Sequence, residues 1–273
     1  MNRPPPQPRT ARARTAARAF TLLELLVVIA IIAIVAALLL PAFRTAKLHG
    51  YAIRSSQNLR QLVAANIAYA AEQGCYAPAD NKQNNRRWSA GRAAAGGSFD
   101  PAKGYLAPYL GNTGAVLACP LFTEMLHGAQ SFEEGTGGYG YNAAYIGGTP
   151  AGTYNADGTR RSATPAQIVR PAVTLMFATT ALARADGVQE YPFAEPPFWV
   201  TAGGPGSGRP SPSVHFRFRG KAIVGWCDGH ISMEEKGAGA VGPNPYGGNA
   251  DAHDLGWFGP DENNGYWNPD REP

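Results

Sequence analysis

The sequence predicts an α+β fold: one long N-terminal helix whose second half packs on a small antiparallel sheet. Three features lead there. Between Arg18 and Arg44 lie 25 residues of which only Glu24 is charged. That run passes into a stretch with helical periodicity, and from about residue 172 the apolar residues begin to alternate with period two. The 33 glycines and 23 prolines fit a domain rich in turns rather than a helical bundle.

The N-terminal run comes first. As a helix rising ~1.5 Å per residue it spans about 37 Å, enough to cross a hydrocarbon core of about 30 Å. Five arginines and no acid lie in residues 1–19. By the positive-inside tendency they hold the N-terminus in the cytoplasm and send the rest of the chain across. A secretory cleavage site fits poorly, because a cut after Ala46 places Arg44 at the −3 position. An ordinary membrane anchor leaves Glu24 without a purpose. An ionised carboxylate near the start of a spanning helix is costly unless paired, and the helix supplies no basic residue to pair with it. Its partner is expected from another chain or from a chain terminus.

Residues 44–73 continue the helix. Leu59, Leu62, Val63, Asn66, Ile67 and Ala70 form one stripe, expected to pack on the domain, with Arg44, Lys47, Arg54 and Arg60 on other faces. Gly74 is the expected C-cap and Pro78 confirms the stop. Residues 81–114 are polar and Gly-rich with little periodicity, and are expected to be an ordered loop region with one short helix. Tyr139, Tyr141 and Tyr145 alternate with glycines. They read as residues packed on a sheet, with a sugar-binding aromatic surface as the alternative.

Ala172–Thr179 is a predicted strand. Val214, Phe216 and Phe218 alternate with His215, Arg217 and Arg219, which predicts a half-buried strand. Ala222–Cys227 and His230–Glu234 flank Asp228-Gly229, the signal for a type I′ hairpin turn with positive φ at both central residues.

Composition narrows the function. With the leader's five arginines set aside, 19 basic and 20 acidic side chains remain, a net of −1. No basic stripe interleaved with aromatics survives, so nucleic acid is not an expected partner. Cys75, Cys119 and Cys227 fit no zinc spacing. Outside the cytoplasm Cys75 would pair with Cys119, since both flank the loop that leaves the helix; the alternative is that all three stay reduced and buried. His49, His127, His215, His230 and His253 form no metalloprotease spacing, and no nucleophile elbow, Walker or dinucleotide fingerprint is present. Ser213 with His215, and His230 with Asp228, read as sequence neighbours that turn away from each other. No enzyme is expected.

The run from Ala19-Phe20-Thr21-Leu22-Leu23-Glu24 to Ile34 resembles the processing motif of type IV prepilins and type II secretion pseudopilins. The resemblance implies removal of a basic leader (1–19) between Ala19 and Phe20 by a prepilin peptidase, then N-methylation of Phe20. Ala19 departs from the usual Gly. Glu24 falls fifth and Pro41 twenty-second in the mature chain, as in that family, so both are implied in assembly. A filament-core helix (20–43), an amphipathic half (44–74) and an extracytoplasmic β-rich domain (75–273) follow. The implied setting is single-pass in a bacterial inner membrane, with the N-terminus cytoplasmic and the domain periplasmic. The implied partners are membrane lipid, other pilin or pseudopilin subunits and an inner-membrane assembly platform. Phe218–His230 also resembles, loosely, the C-terminal element of a bacterial prepilin-like group in which nine residues separate a His from Asp-Gly. Here Phe218 holds that position and His215 lies three residues upstream.

The C-terminal stretch interleaves Asp251, Asp254, Asp261 and Glu262 with asparagines and aromatics. Oxygen-rich loops suit Ca²⁺, and some pseudopilins resembling this chain bind it near the C-terminus. The four carboxylates are therefore the candidate ligands, with an ordinary polar tail anchored by Trp257, Phe258, Tyr266 and Trp267 as the alternative. A membrane-anchored polysaccharide-binding module that never polymerises is the alternative function, and it leaves Glu24 unexplained.

Overall fold

The computed structural model describes residues 21–94, 96–111, 114–126, 133–149, 152–201, 203–237, 244 and 247–270. Ala19, Phe20 and His127 lie outside them. The chain divides into two compact units, Met1–Ala46 and Lys47–Pro273. The described part of the first is helix. The helical residues from Lys47 onward therefore belong with the β-rich domain rather than forming a segment of their own.

Helix α1 (Leu22–Gln73) is continuous. In the second unit it buries Ser55, Asn58, Leu59, Leu62, Val63, Ala65, Asn66 and Ala70, the recurrence of one helical face. Ile67, expected in that stripe, stands at its edge and is 38% exposed. Gly74 closes the helix at φ +75°, donating to the Ala70 carbonyl at 2.9 Å, as a left-handed cap requires.

A short helix α2 (Pro120–Met125) and ten strands follow among the described residues: β1 (Tyr139–Tyr141), β2 (Leu175–Thr179), β3 (Leu182–Arg184), β4 (Gly187–Gln189), β5 (Val200–Thr201), β6 (Gly204–Pro205), β7 (Val214–His215), β8 (Lys221–Trp226), β9 (Ile231–Glu235) and β10 (Leu255–Gly256). The main sheet is antiparallel with order β1-β2-β8-β9. Pairs β3-β4, β5-β6 and β7-β10 stand beside it. An N-terminal helix on a small antiparallel sheet is the pilin-like α+β arrangement.

Strand alternation sends β8 residues to two opposite cores. Ile223 joins the cluster of Leu59, Leu62 and Val63 under α1, together with Tyr139, Tyr141 and Phe177. Ala222, Val224 and Trp226 join Trp257, Phe258 and Trp267 of the C-terminal tail. The sheet is thus covered on both faces. Gly225 makes the helix side possible, since a Cβ there would sit 2.6 Å from Val63 Cγ2. Asn66 locks the contact: its Nδ2 donates to Tyr141 Oη at 3.0 Å and its Oδ1 accepts from the Ala77 N–H at 2.9 Å.

Two strand expectations change. The predicted half-buried strand 214–218 is only Val214–His215. The chain then turns through Arg219 and Gly220, both at positive φ. His215 and Arg217, expected outward, are buried beside Phe122 of α2, where the Arg217 guanidinium lies 4.2 Å from the ring centroid. The β8–β9 hairpin is present, but its loop has three residues, Cys227–Gly229. Trp226 N–H donates to His230, Gly229 N–H donates to Trp226, and Gly229 (φ +98°) has positive φ while Asp228 does not. This is the type I turn plus G1 bulge rather than the two-residue type I′ turn.

Two glycines separate backbone strain from packing. A Cβ at Gly229 meets nothing within 4 Å, so Gly229→Ala and Gly229→Val should each lower stability, by about 1–3 kcal/mol, through the strain of positive φ rather than through a clash with neighbours. At Gly225 the cost should grow from Ala to Val as the helix is pushed away. Denaturant midpoints of the four variants check both; equal losses at Gly225 would contradict the close approach.

Candidate functional site

The first helical turn is built around Glu24. Thr21 precedes α1, and its N–H and hydroxyl donate to Glu24 Oε2 at 2.9 and 2.8 Å, while Thr21 Oγ1 accepts from the Glu24 N–H at 3.2 Å. This reciprocal capping box satisfies helix-start donors that would otherwise lack partners. The sequence places Ser/Thr and Glu three apart here, so the box could have been read from it. The partner expected from outside the chain is therefore joined by one within it. Both bonds fall on a single carboxylate oxygen.

Beyond that turn the surface is apolar. Leu22, Leu23, Leu25, Leu26 and the aliphatic residues on to Leu40 are all exposed, with Phe43 71% exposed. The helix is long and apolar enough to cross a membrane by length and composition. An exposed apolar surface of this extent calls for lipid or neighbouring helices around it. Pro41 lies inside α1. It has no N–H to give the carbonyl of Ala37, so the backbone there can unwind at little cost.

The other predicted site residues do not gather into one place. Asp251 pairs with Lys236 Nζ at 2.6 Å, which holds its carboxyl below the usual range. Asp261 pairs with Arg209 Nη2, also at 2.6 Å, and that guanidinium lies over Phe198 and Trp257. Asp254 takes left-handed φ at the end of a 3₁₀ turn. Among the described residues no group of three or more His, Cys, Asp or Glu could hold a metal ion, so the four carboxylates do not form the expected calcium cage. The aromatic half of that expectation does appear. Trp257, Phe258 and Trp267 are buried, and the Trp257 and Trp267 indole N–H groups donate to the Glu195 and Ala194 carbonyls at 3.0 and 2.8 Å, respectively. Asn264, missed by sequence reasoning, fastens the tail through Phe198 and Tyr145.

Cys75, Cys119 and Cys227 are all free thiols, so the expected Cys75–Cys119 bridge is not formed. Cys119 is buried and accepts from Ser55 Oγ on α1 at 3.1 Å. His230 and Asp228, expected to turn apart, meet at 2.6 Å through Nδ1 and Oδ1, on an exposed turn stacked against Trp226. Burial, then Arg217 and His253, pushes the His215 imidazole well below its normal pKa, so it is neutral.

A membrane-length helix with one early carboxylate, continuing into an α+β domain, defines the pilin-like class. Residues 14–40 match the family described as the prokaryotic N-terminal methylation motif. The matched residues are those of the N-terminal motif, and they support a type IV prepilin-like reading of the chain. No curated protein and no solved structure matches it.

Two outcomes follow. Thr21→Ala should speed amide hydrogen exchange at residues 22–24 by about fivefold, the worth of a cap near 1 kcal/mol, with β8–β9 unchanged. Millimolar calcium should leave the unfolding midpoint unmoved, because Lys236 and Arg209 already neutralise Asp251 and Asp261; a chelator-reversible rise would show that the cation displaces them.

Proposed function

We propose that the chain is a structural subunit, a pseudopilin or minor pilin of a type II secretion or type IV pilus-like filament, and not an enzyme. The observation that carries this is the lone Glu24 carboxylate at the head of an otherwise uncharged, exposed helix within the methylation motif. Prepilin peptidase cuts between Ala19 and Phe20, and methylation follows at Phe20. The new α-amino group lies four residues before Glu24. In a bundle of packed helices it meets Glu24 of a neighbouring subunit, so two charges that are costly alone in lipid are paired. The capping box holds one carboxylate oxygen on Thr21 and leaves the other for that contact. Before assembly the helix sits in the inner membrane with its basic leader cytoplasmic and the β-rich domain on the far side. A subunit of this kind works with other pilin-type subunits and an inner-membrane assembly platform.

Mass spectrometry of the membrane-extracted protein should find a chain beginning at methylated Phe20. An intact leader in cells that contain the peptidase would sink the processing step. Glu24→Ala should insert into the membrane at least as well as the parent, since removing a charge lowers the insertion cost. Its crosslinked multimers should fall by about tenfold or more. Undiminished multimers would mean a plain anchor.

A further inference from the structure

Residues 81–105 lie outside the N-terminal motif. Isolated bridges fold this segment: Asp80 with Arg87, Arg86 with Gly91, and Gly91 with Asp100. Asn81 Oδ1 accepts from the Asn85 and Arg86 N–H groups at 2.9 and 3.1 Å. Gly91 lets the two halves close, since a Cβ there would stand 2.8 Å from Lys103 Cβ. Between them lies a cavity of about 450 Å³ lined by Asn85, Arg86, Gly91, Arg92, Ala102 and Lys103.

Three of those six residues are cations. Arg87 in the same segment, and Arg160, Arg184 and Arg209 elsewhere in the domain, each pair with a carboxylate. Arg86 and Arg92 meet none among the described residues. They are held by other means. Arg86 Nε donates to the Lys103 carbonyl at 2.9 Å, and its guanidinium lies 4.3 Å from the Tyr105 ring centroid. Arg92 Nε and Nη2 both donate to the Asn84 carbonyl, at 3.2 and 2.9 Å, and its guanidinium lies 4.6 Å from the Phe99 centroid. Of five N–H donors, Arg86 therefore spends one and Arg92 two. Lys103 Nζ reaches Asp100 at 3.2 Å, but both side chains are largely exposed, so the pair is weak. Of the three cations that line the pocket only Lys103 has a carboxylate partner, Asp100, which leaves two positive charges uncompensated among the described residues.

We propose that this pocket binds a tetrahedral oxyanion, a phosphate or sulfate group carried on a small organic body. Guanidinium forks match such oxygens in pairs, and fixing them beforehand on aromatic faces spares the ordering cost on binding. The volume lies within the ordinary range for small-ligand sites, about 300–1,000 Å³, and exceeds what a bare anion fills. The bland alternative is that the two arginines only brace the loop. The site stands whether or not the chain polymerises.

The test uses the full chain in neutral detergent at low ionic strength, titrated calorimetrically with inorganic phosphate, with glucose 6-phosphate, and with micelles doped with phosphatidylglycerol. Saturable phosphate binding is expected. It should weaken at least about tenfold in Arg86→Gln and Arg92→Gln, as for loss of a hydrogen bond to a charged group. Arg92→Lys keeps the charge and loses the fork, and should weaken it about threefold or more. Lys221→Gln, on β8 and away from the pocket, should bind as the parent does. Tighter binding of glucose 6-phosphate than of phosphate would assign the site to a sugar ester, and a preference for the doped micelles to a lipid headgroup. If an arginine variant loses its native unfolding midpoint, the exposed Lys103→Gln replaces it, with a loss of about twofold or more expected. Absence of saturable binding, or equal affinity in the parent, the arginine variants and Lys103→Gln, overturns the proposal.

Discussion

Gly225 lets α1 lie against β8, and the rest of the domain is arranged around that contact. With no side chain there, Val63 and Leu59 approach the strand itself, and Asn66 reaches past it to Tyr141. A helix face of Leu59, Leu62 and Val63 would be a liability in water. On the sheet it becomes the centre of a core that includes Tyr139, Tyr141 and Phe177. The polar members of the face are satisfied too, through Ser55 with Cys119 and Asn58 with the Leu117 and Ala118 carbonyls. Burial of those groups without partners would cost more than the surrounding apolar contacts return.

The same helix serves two solvents. Up to Phe43 its apolar side chains are exposed around the whole circumference, as suits lipid or a bundle of like helices. From Ser55 onward one stripe is buried, while Gln57, Arg60, Gln61, Glu72 and Gln73 stand exposed on the other side, as suits a water-exposed domain. Glu24 is the exception in the first region. The capping box makes it tolerable by giving the carboxylate two donors and giving the helix start an acceptor. A charge that also closes the helix has a local role even before any neighbour arrives.

The second face of the sheet depends on the tail. Trp257, Phe258 and Trp267 cover β8, while Asn264 and Asn142 hold the backbone that carries them. Lys236 and Arg209 pair with two of the tail's carboxylates, Asp251 and Asp261, and so hold them apart from one another. Arg86 and Arg92, which meet no carboxylate among the described residues, stand instead in the loops of residues 81–105, far along the chain from the acidic tail.

The sequence by itself determined the helix, its apolar first half, the lone Glu24, the Gly74 cap, the β8–β9 hairpin and the α+β class. These follow from short-range rules: periodicity, chain geometry and the φ that a glycine permits. It did not disclose that His215 and Arg217 point inward. Alternation states that two sides of a strand differ, and only α2, nearly a hundred residues earlier, makes the second side dry. Nor could spacing along the tail tell a calcium cage from ion pairs, because Lys236 and Arg209 reach their carboxylates across the fold. The arginine pocket was least legible of all. Its segment has no periodicity, and Arg86, Arg92 and Lys103 converge only because Gly91 allows two loops to close, a contact between backbones that no side-chain pattern encodes.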